Sequence, residues 1–177
     1  YTADLHLLRM LVGKLLRSPY PHARILNIDT RKAERLPGVK AVVTAEDTPK
    51  NRFGWTIMDE PVFALDEVLY FGEPVAAVAA LDEDIALEAL DLIQVEYQEL
   101  PAVTDPLEAM QPSSHLVHKE LLSYQLGMLP IAPEDELVRE GNICTHVSIR
   151  YGDVEEGFRQ SDTIVEETFH TPRAFQC

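Results

Sequence analysis

The chain has 177 residues and a mass of 19.9 kDa, the size of one ordinary domain or of a small domain with part of another. An apolar content of 46% is enough for a real core and excludes wholesale disorder. The 15 Lys+Arg against 30 Asp+Glu leave a net charge of −15, which argues against sequence-independent binding to nucleic acid or to an anionic membrane surface.

No apolar run approaches the ~18 residues of a membrane-spanning helix. Asp4, His6 and Arg9 interrupt the leading residues, so no signal peptide is expected there. Tyr1 stands where a Met would open a reading frame, so the sequence reads as a fragment or a processed chain.

Met10 to Leu16 reads as a strand, with Gly13 at a close approach or a bulge. Arg17 to His22 holds Pro19 and Pro21 and must turn. Arg24 to Asp29 alternates, with Ile25 and Asn27 on one side and Leu26 and Ile28 on the other. Asp29 or Thr30 is placed to cap a short helix over Arg31 to Leu36, which Pro37-Gly38 ends. Val39 to Val43 is then a strand, and the strand–helix–strand order predicts that it lies close to the preceding one.

Glu46 to Asp59 is loop-like and carries the only Trp, which lies over the surface or plugs a groove. Val68 to Phe71 predicts a short strand, and Gly72-Glu73-Pro74 a tight turn with Gly72 free to take positive φ. Val75 to Leu81 is apolar on both faces, hence a central, buried strand. The strongest helix runs from Glu83 to Ile93. Asp82, Glu83 and Asp84 sit at its positive end, and Ile85, Ala86, Ala89, Leu90 and Ile93 share one face. Ile93, Val95 and Tyr97 then alternate as a strand, so that one helix packs on one sheet face.

Residues 109–142 hold Pro112, Pro130 and Pro133 without a sustained period and read as a connecting segment with one turn of helix at most. Glu134-Asp135-Glu136 is a solvated run or a helix start. Cys144 to Tyr151 predicts a strand, Val154 to Gln160 a helix with Val154 and Phe158 inward, and Thr163 to Phe169 a further strand. These last elements look like the opening of a second domain.

Charge is unevenly distributed. Residues 1–52 carry +5, residues 53–118 carry −14 without a single Lys or Arg, and residues 119–177 carry −6. The carboxylates of the middle stretch are therefore solvated, paired with the basic first third, or turned to a basic partner.

The search for chemistry returns little. Cys144 and Cys177 make no Cys-x-x-Cys spacing, which excludes a zinc ribbon, a thioredoxin motif or an iron–sulfur ligand set in this stretch. So sparse a cysteine count fits a reducing cytoplasm. No Gly-x-Gly-x-x-Gly, P-loop, Gly-x-Ser-x-Gly or His-Glu-x-x-His occurs. His115 and His118 are spaced for two metal ligands on a helix, but Pro112, Ser113 and Ser114 precede them and no third ligand follows. His22 reads as a turn histidine bonded to backbone rather than a general base. Asp66-Glu67 and Glu155-Glu156 are adjacent acids of the kind a chain this acidic produces by chance. No catalytic, cofactor-binding or metal-binding residue is assigned.

Several segments nevertheless carry a collinear resemblance. Tyr1-Thr2-Ala3-Asp4-Leu5 is followed by Gly13-Lys14-Leu15-Leu16-Arg17-Ser18-Pro19-Tyr20-Pro21-His22-Ala23-Arg24-Ile25. Then come Leu36 to Thr44, Tyr70-Phe71-Gly72-Glu73-Pro74-Val75-Ala76-Ala77-Val78-Ala79, Val95 to Val103, and Gly152-Asp153-Val154. Together they resemble the start of the molybdenum-binding large subunit of the xanthine dehydrogenase and aldehyde oxidase family. Arg9 stands where that family usually has Gly, and Cys177 follows Gln176 where it commonly has His.

The resemblance implies an α+β fold. Residues 1–108 would form an α/β-hammerhead domain, a mixed sheet with one main packed helix. Residues 109–142 would connect it to a truncated molybdopterin-binding domain that opens at 143–177. It implies a parent enzyme that hydroxylates N-heterocycles or aldehydes with oxygen from water, using molybdenum on a pterin dithiolene. Electrons would pass to [2Fe–2S] clusters and FAD on partner chains or domains of an oligomeric, cytoplasmic assembly. The family's catalytic glutamate lies beyond position 177, so this stretch alone is expected to bind no molybdenum and turn over nothing. The other reading is a stand-alone acidic interaction module with the same fold and no catalysis.

Overall fold

A computed structural model describes residues 4–128, 140–143, 146, 149 and 151–171. The chain falls into two units, Tyr1–His146 and Val147–Cys177. In the first, β1 (Val12–Arg17), β2 (Ala23–Asp29), α1 (Arg31–Glu34), β3 (Val39–Thr44), β4 (Glu67–Val68), β5 (Pro74–Ala80), α2 (Glu83–Leu92), β6 (Gln94–Glu99) and α3 (Pro106–Ala109) follow in order. The strands form two three-stranded sheets, β1-β5-β3 and β4-β2-β6, with every pair antiparallel. This is the α+β arrangement with a main packed helix that the sequence suggests, its strands divided between two sheets.

β5 is central in the first sheet, as its two apolar faces require. Ala76, Val78 and Ala80 point to α2, where Ala86, Ala89 and Ile93 complete a buried core together with Ala33 of α1. The expected apolar face of α2 is the buried one. Asp82 caps the helix by accepting the Ile85 amide at 2.9 Å, satisfying one of the free N–H groups of the first turn. A second core gathers Ala23, Ala64, Val68 and Val75, with Tyr20, Ile25 and Tyr97 packed on it.

Four expectations are corrected here. Gly13 is neither a close approach nor a bulge: it pairs in register with Ala79, and a Cβ on it would meet nothing within 4 Å. The bulge falls instead between Leu16 and Arg17. In β2 a register shift between Ile25 and Asn27 breaks the simple alternation. Ile25 and Ile28 both face the core, and Leu26 is exposed. β2 and β3 lie in different sheets, because the short α1 between them carries the chain from one sheet to the other. Likewise α2 packs on β1 and β5, while β6 after it joins the second sheet.

Other expectations hold. Asp29 accepts the Arg31 amide at 3.1 Å and so supplies the cap for α1, whereas Thr30 makes no side-chain cap bond. Gly38, at φ 101°, ends the α1 connection in a conformation L-residues avoid, and a Cβ there would stand 2.6 Å from Ile85 Cδ1. Gly72 turns at φ 87°, as expected. One does not hold: the strand expected over Val68 to Phe71 lies at Glu67–Val68, and Leu69 to Phe71 fall outside it. Trp55 lies over the surface.

In the second unit, α4 (Val154–Arg159) is capped by Asp153, which accepts the Glu156 amide at 2.9 Å. Val154 and Phe158 are more than half exposed rather than inward. Thr163 to Phe169 forms no strand, because no partner strand is present among the described residues to take its backbone hydrogen bonds. Glu134-Asp135-Glu136 and most of the strand expected over Cys144 to Tyr151 lie outside the described residues.

Arg9 sits at φ 63° in a turn closed by the Met10 amide donating to Leu7 O at 3.1 Å. The third position of such a turn favours Gly, because a Cβ there is strained. Arg9→Gly is expected to stabilise the chain by about 1 kcal/mol. A higher urea midpoint with an unchanged slope checks this.

Candidate functional site: an acidic cleft closed by a polar network

A cavity of about 650 Å³ opens between the 52–74 stretch and residues 117–124. Glu67 at the start of β4 is its electrostatic anchor. It accepts two hydrogen bonds from Lys119 Nζ, at 2.9 and 3.1 Å, and one from Arg24 Nη2 at 3.4 Å. His22 Nε2 lies 3.6 Å from the same carboxylate, and its Nδ1 lies 2.6 Å from Pro101 O. Lys119, then Arg24 and His22, hold the Glu67 carboxyl below the usual carboxylate range against the opposing effect of burial. Lys119 is the first Lys or Arg after 66 residues without one, and it answers an acid near the start of that stretch.

On the other wall His118 Nε2 is 3.5 Å from Asp59, and its ring meets Tyr124 edge-on with centroids 5.6 Å apart. Arg52 lies 5.0 Å over the Tyr124 ring and donates to Asp59 O at 2.6 Å. Burial lowers the His118 pKa, with Asp59 pulling the other way. Glu73 is 5% exposed, and its carboxylate accepts the Leu69 amide. Burial raises its pKa, opposed by bonds from the Leu69 and Tyr70 amides. Asn142 closes the adjoining loop. Its Oδ1 accepts the Val117 amide at 2.9 Å, and its Nδ2 donates to Ala109 O and His115 O at 3.0 and 2.9 Å. Sequence reasoning misses Asn142 entirely, since its partners are 25 to 33 positions away.

These groups pair with one another and do not converge on a reacting atom. Glu67 is neutralised by cations, Glu73 is tied to backbone, and His22 takes the backbone-bonded role read from the sequence. Asp66 contributes its carbonyl to the Ile25 amide rather than a second carboxylate beside Glu67. Glu156 pairs with Arg159 on the exposed α4. His115 lines a small pocket beside His22 and Pro101, while His118 faces Asp59. The middle stretch thus meets the basic first third: Glu83 pairs with Lys14 and Glu67 with Arg24.

Residues 1–101 match the family described as aldehyde oxidase and xanthine dehydrogenase, a/b hammerhead domain. The chain belongs to that family. It is 45% identical over 98% of its length to a probable xanthine dehydrogenase subunit from Bacillus subtilis (strain 168), spanning 21% of that protein. It is 36% identical over 98% of its length to the nicotinate dehydrogenase large molybdopterin subunit of Eubacterium barkeri, spanning 36%. Among solved structures, CO dehydrogenase from Oligotropha carboxidovorans is 41% identical with a TM-score of 0.58, covering 63% of this chain and 14% of that one. Quinoline 2-oxidoreductase from Pseudomonas putida 86 is 40% identical with a TM-score of 0.58, covering 64% and 16%. The chain therefore spans about a fifth to a third of the two curated relatives.

The described residues do not fit a molybdenum–pterin group. No cluster of three or more His, Cys, Asp or Glu among them is arranged to hold a metal. The cleft, lined by Asp59, Glu60, Asp66, Glu67, Glu73 and Glu120 against Arg52 and Lys119, repels an anionic dithiolene. No helix among them is long and apolar enough to cross a membrane.

The partly buried Glu67 and the buried Glu73 make opposite pH predictions. Glu67 is depressed, so its stabilisation is present above its unfolded value, near 4.5, and is lost as pH falls through the folded one. Glu73 is raised, so its contribution is present below 4.5 and is lost as pH rises through the folded value. Glu67→Gln is expected to cost about 1 kcal/mol at pH 7, discounted for its half-exposed partners, and progressively less in acid. Glu73→Gln is expected to cost nothing or to stabilise at pH 7, with the difference closing below pH 4.5. Urea unfolding of both variants from about pH 3 to 7 checks the two signs.

Proposed function

We propose that the chain is the N-terminal structural segment of the large subunit of a molybdenum hydroxylase. In that reading residues 1–108 are the hammerhead domain, 109–142 connect it, and 143–177 open the molybdopterin-binding part. The observation that carries it is the alignment of 98% of the chain with relatives named as a xanthine dehydrogenase subunit and a large molybdopterin subunit, on top of the hammerhead match over residues 1–101.

The complete enzyme hydroxylates N-heterocycles or aldehydes, taking the oxygen from water. When bound, the molybdenum–pterin group supplies the oxidising centre. Iron–sulfur clusters and FAD on partner chains or domains accept the electrons, in an oligomeric assembly in the cytoplasm. This segment holds no step of that reaction. Its residues build a scaffold: α2 and the two sheets form the body, and the Glu67 and Asn142 networks fix the loops that border it.

Purification of the native protein from its source with an antibody to this segment tests the reading. The expected result is a polypeptide much longer than 177 residues that carries molybdenum and co-purifies with iron and flavin. A metal-free polypeptide of about the present length would instead make the hammerhead a stand-alone acidic interaction module.

A further inference from the structure

The first sheet has two faces, and the described residues cover only one of them along its length. Val12, Lys14 and Leu16 of β1 pair with Ala80, Val78 and Ala76 and face α2. The opposite face carries Gly13 and Leu15 of β1, paired with Ala79 and Ala77, and Ala41 and Val43 of β3, paired with the same two alanines. None of these six side chains is polar. Val75, on the same side of β5, is fully buried in the second core. Past Val75 the face opens: Ala77 and Ala79 are half-buried, where Ala76 and Ala80 on the covered side are 0% exposed. Leu15 is 43% exposed, and a Cβ at Gly13 would meet nothing.

We infer that this open face seats an apolar helix from a later part of the same polypeptide; the inference rests on the proposed function. Size decides between occupants. Three strands about 4.8 Å apart and two residue rows give a face of roughly 200 Å². A stable separate partner needs about 800 Å² on each side. So small a face suits a tethered segment, whose effective concentration is high without a large contact. The chain spans 21% of its Bacillus subtilis relative, so most of that protein's length is available to supply it. The relief decides the chemistry. Leu15 and Val43 flank Ala77 as two ridges beside a shallow notch, and the row Gly13–Ala79–Ala41 is flat. That surface accepts large aliphatic side chains of a helix lying across the strands.

The test is photo-crosslinking in the intact assembly, with p-benzoylphenylalanine placed at Leu15 and, separately, at Ala41. The expected product is an intrachain link from each position to a site beyond residue 177, with no gain in subunit mass on a denaturing gel. Hydroxyl-radical footprinting of the unmodified assembly is expected to show Leu15 protected. A link to a second copy of residues 1–177, a link to a separate chain, or a freely oxidised Leu15 overturns the inference. Intact mass and molybdenum content of the same preparation separate the two failures. A long, molybdenum-bearing subunit with an open Leu15 removes this inference alone, whereas a short metal-free chain removes the proposed function and this inference with it.

Discussion

The hammerhead unit depends on β5. It is the one strand hydrogen-bonded on both edges in the first sheet, and the one whose alternate residues enter different cores. Ala76, Val78 and Ala80 are buried against α2, and Val75 is buried with Ala23, Ala64 and Val68 of the second core. Its small side chains let α2 lie close to the sheet, so the fit is set by methyl groups with little room for adjustment. Because the two sheets share no strand, the contact through Val75 and through Ile28 and Val95, which pack on both cores, is what joins them.

The elements around β5 were legible because their causes are local. The face of α2 follows from 3.6-residue spacing and an Asp cap, and β6 from alternation that begins at Ile93. What was not legible has long-range causes. The register shift in β2 exposes Leu26 because Ile25 and Ile28 are both claimed by the cores, which alternation alone does not reveal. The separation of β2 from β3 reflects a sheet change that a strand–helix–strand pattern does not encode. Thr163 to Phe169 has the pattern of a strand, and a pattern without a hydrogen-bonding neighbour does not make one.

The cleft shows the same division. The absence of Lys and Arg from 53–118 is visible in the sequence, and it correctly directs attention to cations outside that stretch. Which cations answer which acids is a tertiary fact: Glu67 gathers His22 and Arg24 from the start of β2 and Lys119 from a segment 52 residues downstream. The result is a network that fixes loops. A carboxylate paired with two cations is stabilised in its charged form and is a poor proton acceptor, so the arrangement belongs to architecture rather than to acid–base chemistry.

Native-state hydrogen exchange across Pro74–Ala80 tests the central role of β5 most directly. If β5 joins the two cores, its amides exchange only through global unfolding, and their opening free energies equal the stability measured by urea. Exchange of the β5 amides by a lower-energy local opening, with α2 or β6 still protected, would contradict the account.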